Sequence, residues 1–271
     1  MPLVEAHLTG IIKGCFYDVQ NEVGLGFDEE AYHQGLIRAF TAKGLKFRSK
    51  EPVPVLYRGR GVTVFEPDFL VEDRVVIEIK AMRESFAQEH YVQLFSYFKA
   101  TQRRVGFLVN FGQEQVVDER FLFDEKPFAL DENWDSVTGI IVGDERDRLM
   151  LARQSLIEVG QEFGFGYGDV TYRKLLAAVV EAKHVIVHEK PFAQPQFHHD
   201  PVGHFECQCL RIGSEIIALV LALKEGFQRL DLLIGESYLR NLGLRFGVVA
   251  NFAKDRLQLH GITHNSTHKQ S

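Results

Sequence analysis

The sequence predicts an α/β protein built as two tandem layered domains, each with helices before a hairpin-built sheet and then a helix and a strand. Helical and strand periodicities alternate along the chain, which is the pattern of helices packed on a sheet. One set of spacings returns about 140 residues later, and a polar stretch separates the two sets.

The elements of the first set follow in order. Leu8 to Val23 places Leu8, Ile11, Ile12, Cys15, Phe16 and Val19 at helical spacing, and Gly24 and Gly26 end that helix. Asp28 is the expected N-cap of a second helix reaching about Ala42, with Gly44 as its stop. Val53 to Tyr57, Val62 to Val71 and Val75 to Ala81 are rich in β-branched and aromatic residues and read as strands. The turns between them are Arg58-Gly59-Arg60-Gly61 and Glu72-Asp73-Arg74. A helix from about Phe86 to Ala100 and a buried strand from Val105 to Phe111 complete the set.

Gly24-Leu25-Gly26-Phe27, with Tyr32 and Leu36, returns as Gly164-Phe165-Gly166-Tyr167 with Tyr172 and Leu176. Phe65-Glu66 and Leu70 return as Phe205-Glu206 and Leu210. Ser96-Tyr97, Arg104, Gly106 and Asn110-Phe111 return as Ser237-Tyr238, Arg245, Gly247 and Asn251-Phe252. The offset is 140 in the first two blocks and 141 in the third, so the order holds with one inserted residue, which points to duplication. The expected domains are 1–130 with a complete site and 145–260 as a degenerate copy. Pro127, Asp131, Glu132, Asn133 and Asp135 mark the polar boundary, and 261–271 reads as a loose tail.

Composition narrows the class. Hydrophobic content of 45% and charged content of 25% over 271 residues fit a soluble globular protein. No apolar run reaches the ~18 to 20 residues that span a bilayer; Ile216 to Leu223 is interrupted by Lys224 and Glu225. The N-terminus shows no basic flank followed by an apolar stretch, so no secretion signal is read. Cys15, Cys207 and Cys209 are sparse and odd in number, as in a reducing interior, and the expected compartment is the cytoplasm. A net charge of −6 gives no global attraction to nucleic acid. Locally, Lys43, Lys46, Arg48, Lys50, Arg58 and Arg60 are opposed only by Glu51. That run is either a phosphate-contacting patch, with Lys46, Arg48, Arg58 and Arg60 as nucleic-acid-binding candidates, or a solvated helix end and hairpin.

The chemistry gathers on one hairpin. If Glu72, Asp73 and Arg74 form a three-residue loop, Val71 lies opposite Val75 and Asp68 directly opposite Glu78. Paired residues have Cβ atoms about 4.5 to 5.5 Å apart, so the two carboxylates can share one cation. Alternation puts Lys80 on the same face. The competing reading is a Lys80 salt bridge to Glu78 or Asp68 on a solvent-facing edge; Ile77 and Ile79 favour a central strand covered on both faces. Two facing carboxylates repel or raise a pKa, and a divalent cation relieves the conflict. Carboxylates holding Mg²⁺ or Mn²⁺, with Lys80 orienting a water and offsetting charge on a phosphate, are the residue types of phosphodiester hydrolysis.

Pro67-Asp68, nine residues, then Glu78-Ile79-Lys80 resembles the PD-(D/E)XK nuclease signature, proline included. Gly26-Phe27-Asp28-Glu29-Glu30-Ala31-Tyr32 resembles the motif of the GxxExxY protein family within that superfamily, and the likeness runs from about Leu8 to Phe123. It implies restriction-endonuclease-like domains, each a mixed β-sheet flanked by helices, and a Glu29 that points at the site to complete a metal shell of Glu29, Asp68 and Glu78. Gln93 and Tyr97 resemble the Gln-x-x-x-Tyr element of nuclease branches related to RecB and λ exonuclease. At i and i+4 they share a helix face, where an amide and a hydroxyl can hold a phosphate or the substrate strand. Tyr97 also fits plain core packing with its hydroxyl satisfied, because Ser96-Tyr97 recurs.

In the second set the 140-residue offset matches Asp68 with Gln208, Glu78 with Ala218, Lys80 with Val220 and Glu29 with Asp169, and the later offset matches Gln93 with Ile234. That copy is expected to keep the fold without the metal. His198, His199, His204, Cys207 and Cys209 are weighed as zinc ligands, but a Cys-x-Cys pair is an uncommon zinc spacing and buried small residues are the better reading. His260, His264 and His268 recur every four residues, yet Gly261, Thr263 and Ser266 disfavour the helix that would align them. The expected function is a Mg²⁺- or Mn²⁺-dependent nuclease acting on nucleic acid, DNA foremost. The alternative is a non-catalytic module that binds nucleic acid or protein. Substrate strandedness, end or internal cleavage and oligomeric state stay open, and two tandem copies suit an internal pseudo-dimer.

Overall fold

The computed structural model describes residues 4–198 and 200–264. They divide into two compact units, with boundaries at 56/57, 62/63 and 124/125; residues 57–62 group with the second unit. The tail beyond 264, with Ser266 and His268, and also His199, lie outside the described residues.

In the first unit, α1 (Ala6–Val23) buries Leu8, Ile12, Cys15, Phe16 and Val19, the stripe that the spacing predicts, and stops at Gly24, whose φ is 81°. Helix α2 (Glu29–Ala42) starts on Asp28, whose side chain accepts from the Ala31 amide at 3.1 Å. Glu29 and Glu30 occupy its first turn, where the helix dipole favours anions. Then come β1 (Phe47–Ser49), β2 (Val53–Tyr57), β3 (Arg60–Phe65), β4 (Phe69–Val71), β5 (Val75–Lys80), α3 (Gln88–Thr101), β6 (Val105–Asn110) and β7 (Val117–Leu122). The sheet order is β1-β4-β5-β6-β7, with β2 and β3 pairing as a separate ribbon. Only β5 and β6 run parallel, joined across α3, so the sheet is mixed. The strand expected from Val62 to Val71 is broken at Glu66-Pro67-Asp68, because Pro67 has no N–H to give a ladder.

The central hairpin has the expected register, Val71 with Val75, Leu70 with Val76 and Phe69 with Ile77. Its loop closes on Arg74 N–H to Val71 C=O at 3.0 Å, with Glu72 and Asp73 at φ of 51° and 54°. Odd-numbered positions Phe69, Val71, Val75, Ile77 and Ile79 pack on Phe16, Tyr32, Leu36 and Phe40 of α1 and α2. Even-numbered Leu70, Val76 and Leu108 pack on Leu94, Tyr97 and Phe98 of α3. With helices on both faces, β5 is apolar along its length except at Glu78 and Lys80, which alternation puts on the α3 side.

The second unit comprises β8 (Leu130–Asn133), α4 (Gly143–Phe163), α5 (Asp169–Glu181), β9 (Val187–Glu189), β10 (Phe192–Ala193), β11 (Gln196–Phe197), β12 (Asp200–Pro201), β13 (Phe205–Glu206), β14 (Leu210–Ile212), β15 (Ile216–Ala222), α6 (Arg229–Leu242), β16 (Phe246–Phe252) and β17 (Leu257–Thr263). Its sheet runs β8-β17-β16-β15-β14-β9; β15 and β16 run parallel, joined across α6, and β8 and β17 also run parallel. Two expectations are corrected here. The polar stretch read as boundary contains β8, which pairs with β17 and belongs to the second sheet. Residues 261–263 are strand rather than loose tail: Ile262 is buried, and Gly261, read as a helix breaker, lies against the Trp134 ring, where an added Cβ would sit 2.7 Å from it. His260 accordingly lies in β17, opposite Val249, and not on a helix face with His264.

Candidate active site

Asp68 precedes β4 at the break made by Pro67, and continuing the hairpin register by one step sets it opposite Glu78. Its Oδ2 accepts from the Ile79 amide at 2.9 Å, and its carbonyl accepts from Lys50 N–H at 3.2 Å, so both the side chain and backbone of Asp68 are pinned. Asp68 and Glu78 are 7% and 2% exposed. Lys80 donates to Glu78 Oε1. The ion pair that the edge-strand alternative foresees is therefore real, but it lies on the middle strand of five, with side chains 15% and 3% exposed.

Among the described residues no donor reaches Glu78 Oε2. An orphaned carboxylate oxygen at this depth is expensive. Burial, then the charge of Asp68, pushes Glu78 up to about 8, against the pull of Lys80. The two facing carboxylates, one with an unanswered oxygen, are the oxygen-donor chemistry that a hard divalent cation takes. Glu29 keeps contact with solvent at the start of α2, yet protein atoms crowd its carboxyl enough to raise its pKa; Lys80 lowers it and Asp68 raises it further. Glu29 thus lies within electrostatic reach of the hairpin. It does not close a preformed shell: among the described residues no three His, Cys, Asp or Glu side chains gather closely enough to hold a metal. Helix α2 packs on the sheet face opposite to the one that alternation gives Glu78, and Glu29 sits in its exposed first turn.

On α3, Gln93 donates to the Tyr97 hydroxyl at 2.7 Å, and that hydroxyl donates to the Glu66 carbonyl at 3.4 Å. The Tyr97 ring packs edge-on against Phe65 at 5.8 Å. Burial, then the charge of Glu78, raises the Tyr97 pKa, so this residue is a packed core member that also faces the carboxylates.

The basic run is not one open cationic surface. Arg48 pairs with Glu51 at 3.0 Å and with Asp73; Arg58 pairs with Glu158 at 3.3 Å and Arg60 with Glu181 at 2.8 Å. Lys46 is exposed, and its backbone N–H donates to Glu72 at 2.7 Å. The expectation that only Glu51 opposes these charges fails because their partners are remote in sequence.

Three contributors carry no motif. His33 Nε2 and Ser49 Oγ are 2.8 Å apart, tying α2 to β1 beside Asp68. Lys50 pairs with Glu30 at 2.7 Å. Asn110 accepts from the Met82 and Gly112 amides at 3.0 and 2.9 Å and donates to the Met82 and Glu84 carbonyls, fixing the loop that leaves Lys80. For Asn110 a signal existed in the recurring Asn-Phe pair.

The second unit's register revises the matching of positions. Ile212 pairs with Ile216 and Leu210 with Ala218, and Lys190 N–H donates to Cys209 C=O at 3.0 Å as Lys50 does to Asp68 C=O. The one-residue step between the two offsets therefore falls between Glu206 and Cys209. By register, Cys209 rather than Gln208 takes the hairpin position that Asp68 holds in the first unit, Leu219 rather than Ala218 that of Glu78, and Leu221 rather than Val220 that of Lys80. Cys207, Cys209, Leu219 and Leu221 share one apolar cluster, while His198 and His204 are exposed. Among the described residues they form no zinc site.

Among curated proteins, none matches this chain. Solved structures to which it is similar include the crystal structure of SSO0001, at 18% identity over 44% of this chain with a TM-score of 0.28; the match spans 60% of that structure's length. An alkaline exonuclease (LHK-Exo) from Laribacter hongkongensis is similar at 13% identity over 68% of this chain and 87% of its own, with a TM-score of 0.31. Among the described residues no helix is long and apolar enough to cross a membrane. Residues 6–121, the segment that folds around Asp68, Glu78 and Lys80, match the model of the PD-(D/E)XK nuclease superfamily.

Proposed function

We propose that this chain is a metal-dependent nuclease that hydrolyses phosphodiester bonds, with DNA as substrate and the cytoplasm as its place of action. One observation carries the reading: a buried Glu78 with an unanswered Oε2 faces Asp68 on a sheet face that also holds Lys80. Asp68 and Glu78 would hold Mg²⁺ or Mn²⁺, with Glu29 as a further oxygen donor brought in from the first turn of α2. When bound, the cation supplies polarisation of the scissile phosphate and a water acidified toward hydroxide. Lys80 orients that water and offsets charge on the phosphate oxygens, while Gln93 and Tyr97 line the same face.

The second unit is a degenerate copy arising by tandem duplication, in a GxxExxY-type lineage. Its support is the repeated hairpin register with Cys209, Leu219 and Leu221 at the charged positions. A contrasting reading, a binding scaffold without catalysis, is favoured by the absence of a ready three-ligand cluster among the described residues. Cleavage assays decide between them. With Mn²⁺ or Mg²⁺ the purified chain is expected to cut labelled DNA, and Asp68→Ala and Lys80→Ala are expected to abolish cutting. Cutting undiminished from wild type in both variants, or no Mn²⁺ heat in calorimetric titration of the wild type, sinks the nuclease reading.

A further inference from the structure

We propose that Lys50 is a further substrate-contacting residue of this site: an exposed ammonium, parked on Glu30, that takes a phosphate oxygen of the bound strand. The inference rests on the nuclease reading above. Lys50 follows β1 with φ of 48°, a left-handed backbone that is uncommon for a residue with a side chain. Its amide donates to the Asp68 carbonyl at 3.2 Å, so its position is tied directly to the carboxylate strand. The adjoining Ser49 is held to His33 on α2, which locks the same segment from the other side.

The ammonium lies 2.7 Å from Glu30 Oε2 with its side chain 48% exposed. Beyond Glu30, it also feels the charges of Asp68 and Glu29. Lys80, by contrast, is largely buried and engaged by Glu78. Arg48 is paired with Glu51 and Asp73, Arg58 with Glu158 and Arg60 with Glu181. Lys50 is therefore a cation that combines closeness to the carboxylates with access to a polyanion arriving from solvent. Its present ion pair is exposed, and exposed pairs contribute only about 0 to 1 kcal/mol, so exchanging a carboxylate for a phosphate oxygen meets little resistance. A backbone phosphate gains a charge-assisted hydrogen bond in return.

The second unit supplies a control. Lys190 has the same φ of 48° and the same amide bond, to Cys209 at 3.0 Å, but no carboxylates stand at the matching hairpin positions. The experiment is fluorescence anisotropy of the full chain with labelled single- and double-stranded DNA, Ca²⁺ replacing Mg²⁺, across rising salt. Lys50→Gln is expected to weaken binding about tenfold and to lower the slope of log affinity against log salt by about 0.7 to 0.9. Lys50→Arg keeps the slope, and Lys190→Gln leaves affinity unchanged. In Mg²⁺ the Lys50→Gln loss falls on KM, with kcat retained. A wild type that binds DNA with the same slope in Lys50→Gln overturns the role of Lys50 alone. A wild type that neither binds nor cuts nucleic acid overturns the nuclease reading together with it.

Discussion

Glu78→Gln offers the sharpest perturbation, because it keeps the shape of a buried side chain and removes its charge. In the folded chain Glu78 is pushed from 4.5 to about 8, chiefly by burial and next by Asp68. A raised acid pKa means that the native state holds the proton where the unfolded state has released it. The contribution to stability is complete below about 4.5 and is lost as pH climbs through 8. Between pH 5 and 8 the metal-free wild type is expected to lose about 3 to 4 kcal/mol, at 1.36 kcal/mol per unit less the rounding at each end of the titration. At roughly 3 °C per kcal/mol, that is about 10 °C in Tm. Glu78→Gln cannot ionise, so its curve is flatter and lies above the wild type at pH 8, the two converging near pH 5. Adding Mn²⁺ at pH 8 is expected to recover the loss in the wild type and to do little for Glu78→Gln, since ligand binding stabilises only the state that binds. Thermal melts of both chains with and without Mn²⁺ measure all of this. A wild-type Tm that is flat or rises from pH 5 to 8 without metal refutes the picture of a carboxylate buried against its electrostatics.

Asp28→Ala removes the acceptor that caps α2 and should cost about 1 kcal/mol by denaturant unfolding. Fraying of that first turn is also expected to lower activity through Glu29, so a variant with reduced stability but unaltered Mn²⁺ affinity would separate Glu29 from the metal. Gly106→Ala forces a Cβ to within 2.6 Å of both the Phe98 ring and the Val76 carbonyl, where backbone has no freedom to withdraw. A loss of about 2 to 3 kcal/mol is expected in urea melts, and a neutral result would contradict the tight packing of α3 on the sheet.

Much was legible before any coordinates. Short-range periodicity defined the three helices of the first set, the Asp28 cap and the β4–β5 register, because each depends on neighbours within a few residues. From that register the opposition of Asp68 and Glu78 followed by counting. The repeated spacings pointed to a second sheet flanked by helices, since spacings along the chain need no contact information.

Other features depended on residues distant in the chain. The basic run looked open because Asp73, Glu158 and Glu181, which pair with Arg48, Arg58 and Arg60, are remote in sequence. Where the one-residue step in the offset falls depended on the hydrogen-bond ladder of β14 and β15, which moved the positional counterparts of Asp68, Glu78 and Lys80 by one. Strand β17 was hidden in a polar terminus because its ladder partners, β16 and β8, lie elsewhere in the chain. Alternation within a strand is a local property and can be read from the residue order. Charge pairing, sheet partnership and the depth that leaves Glu78 Oε2 unanswered are properties of the assembled layers, where distant segments set the dielectric and supply or withhold the donors.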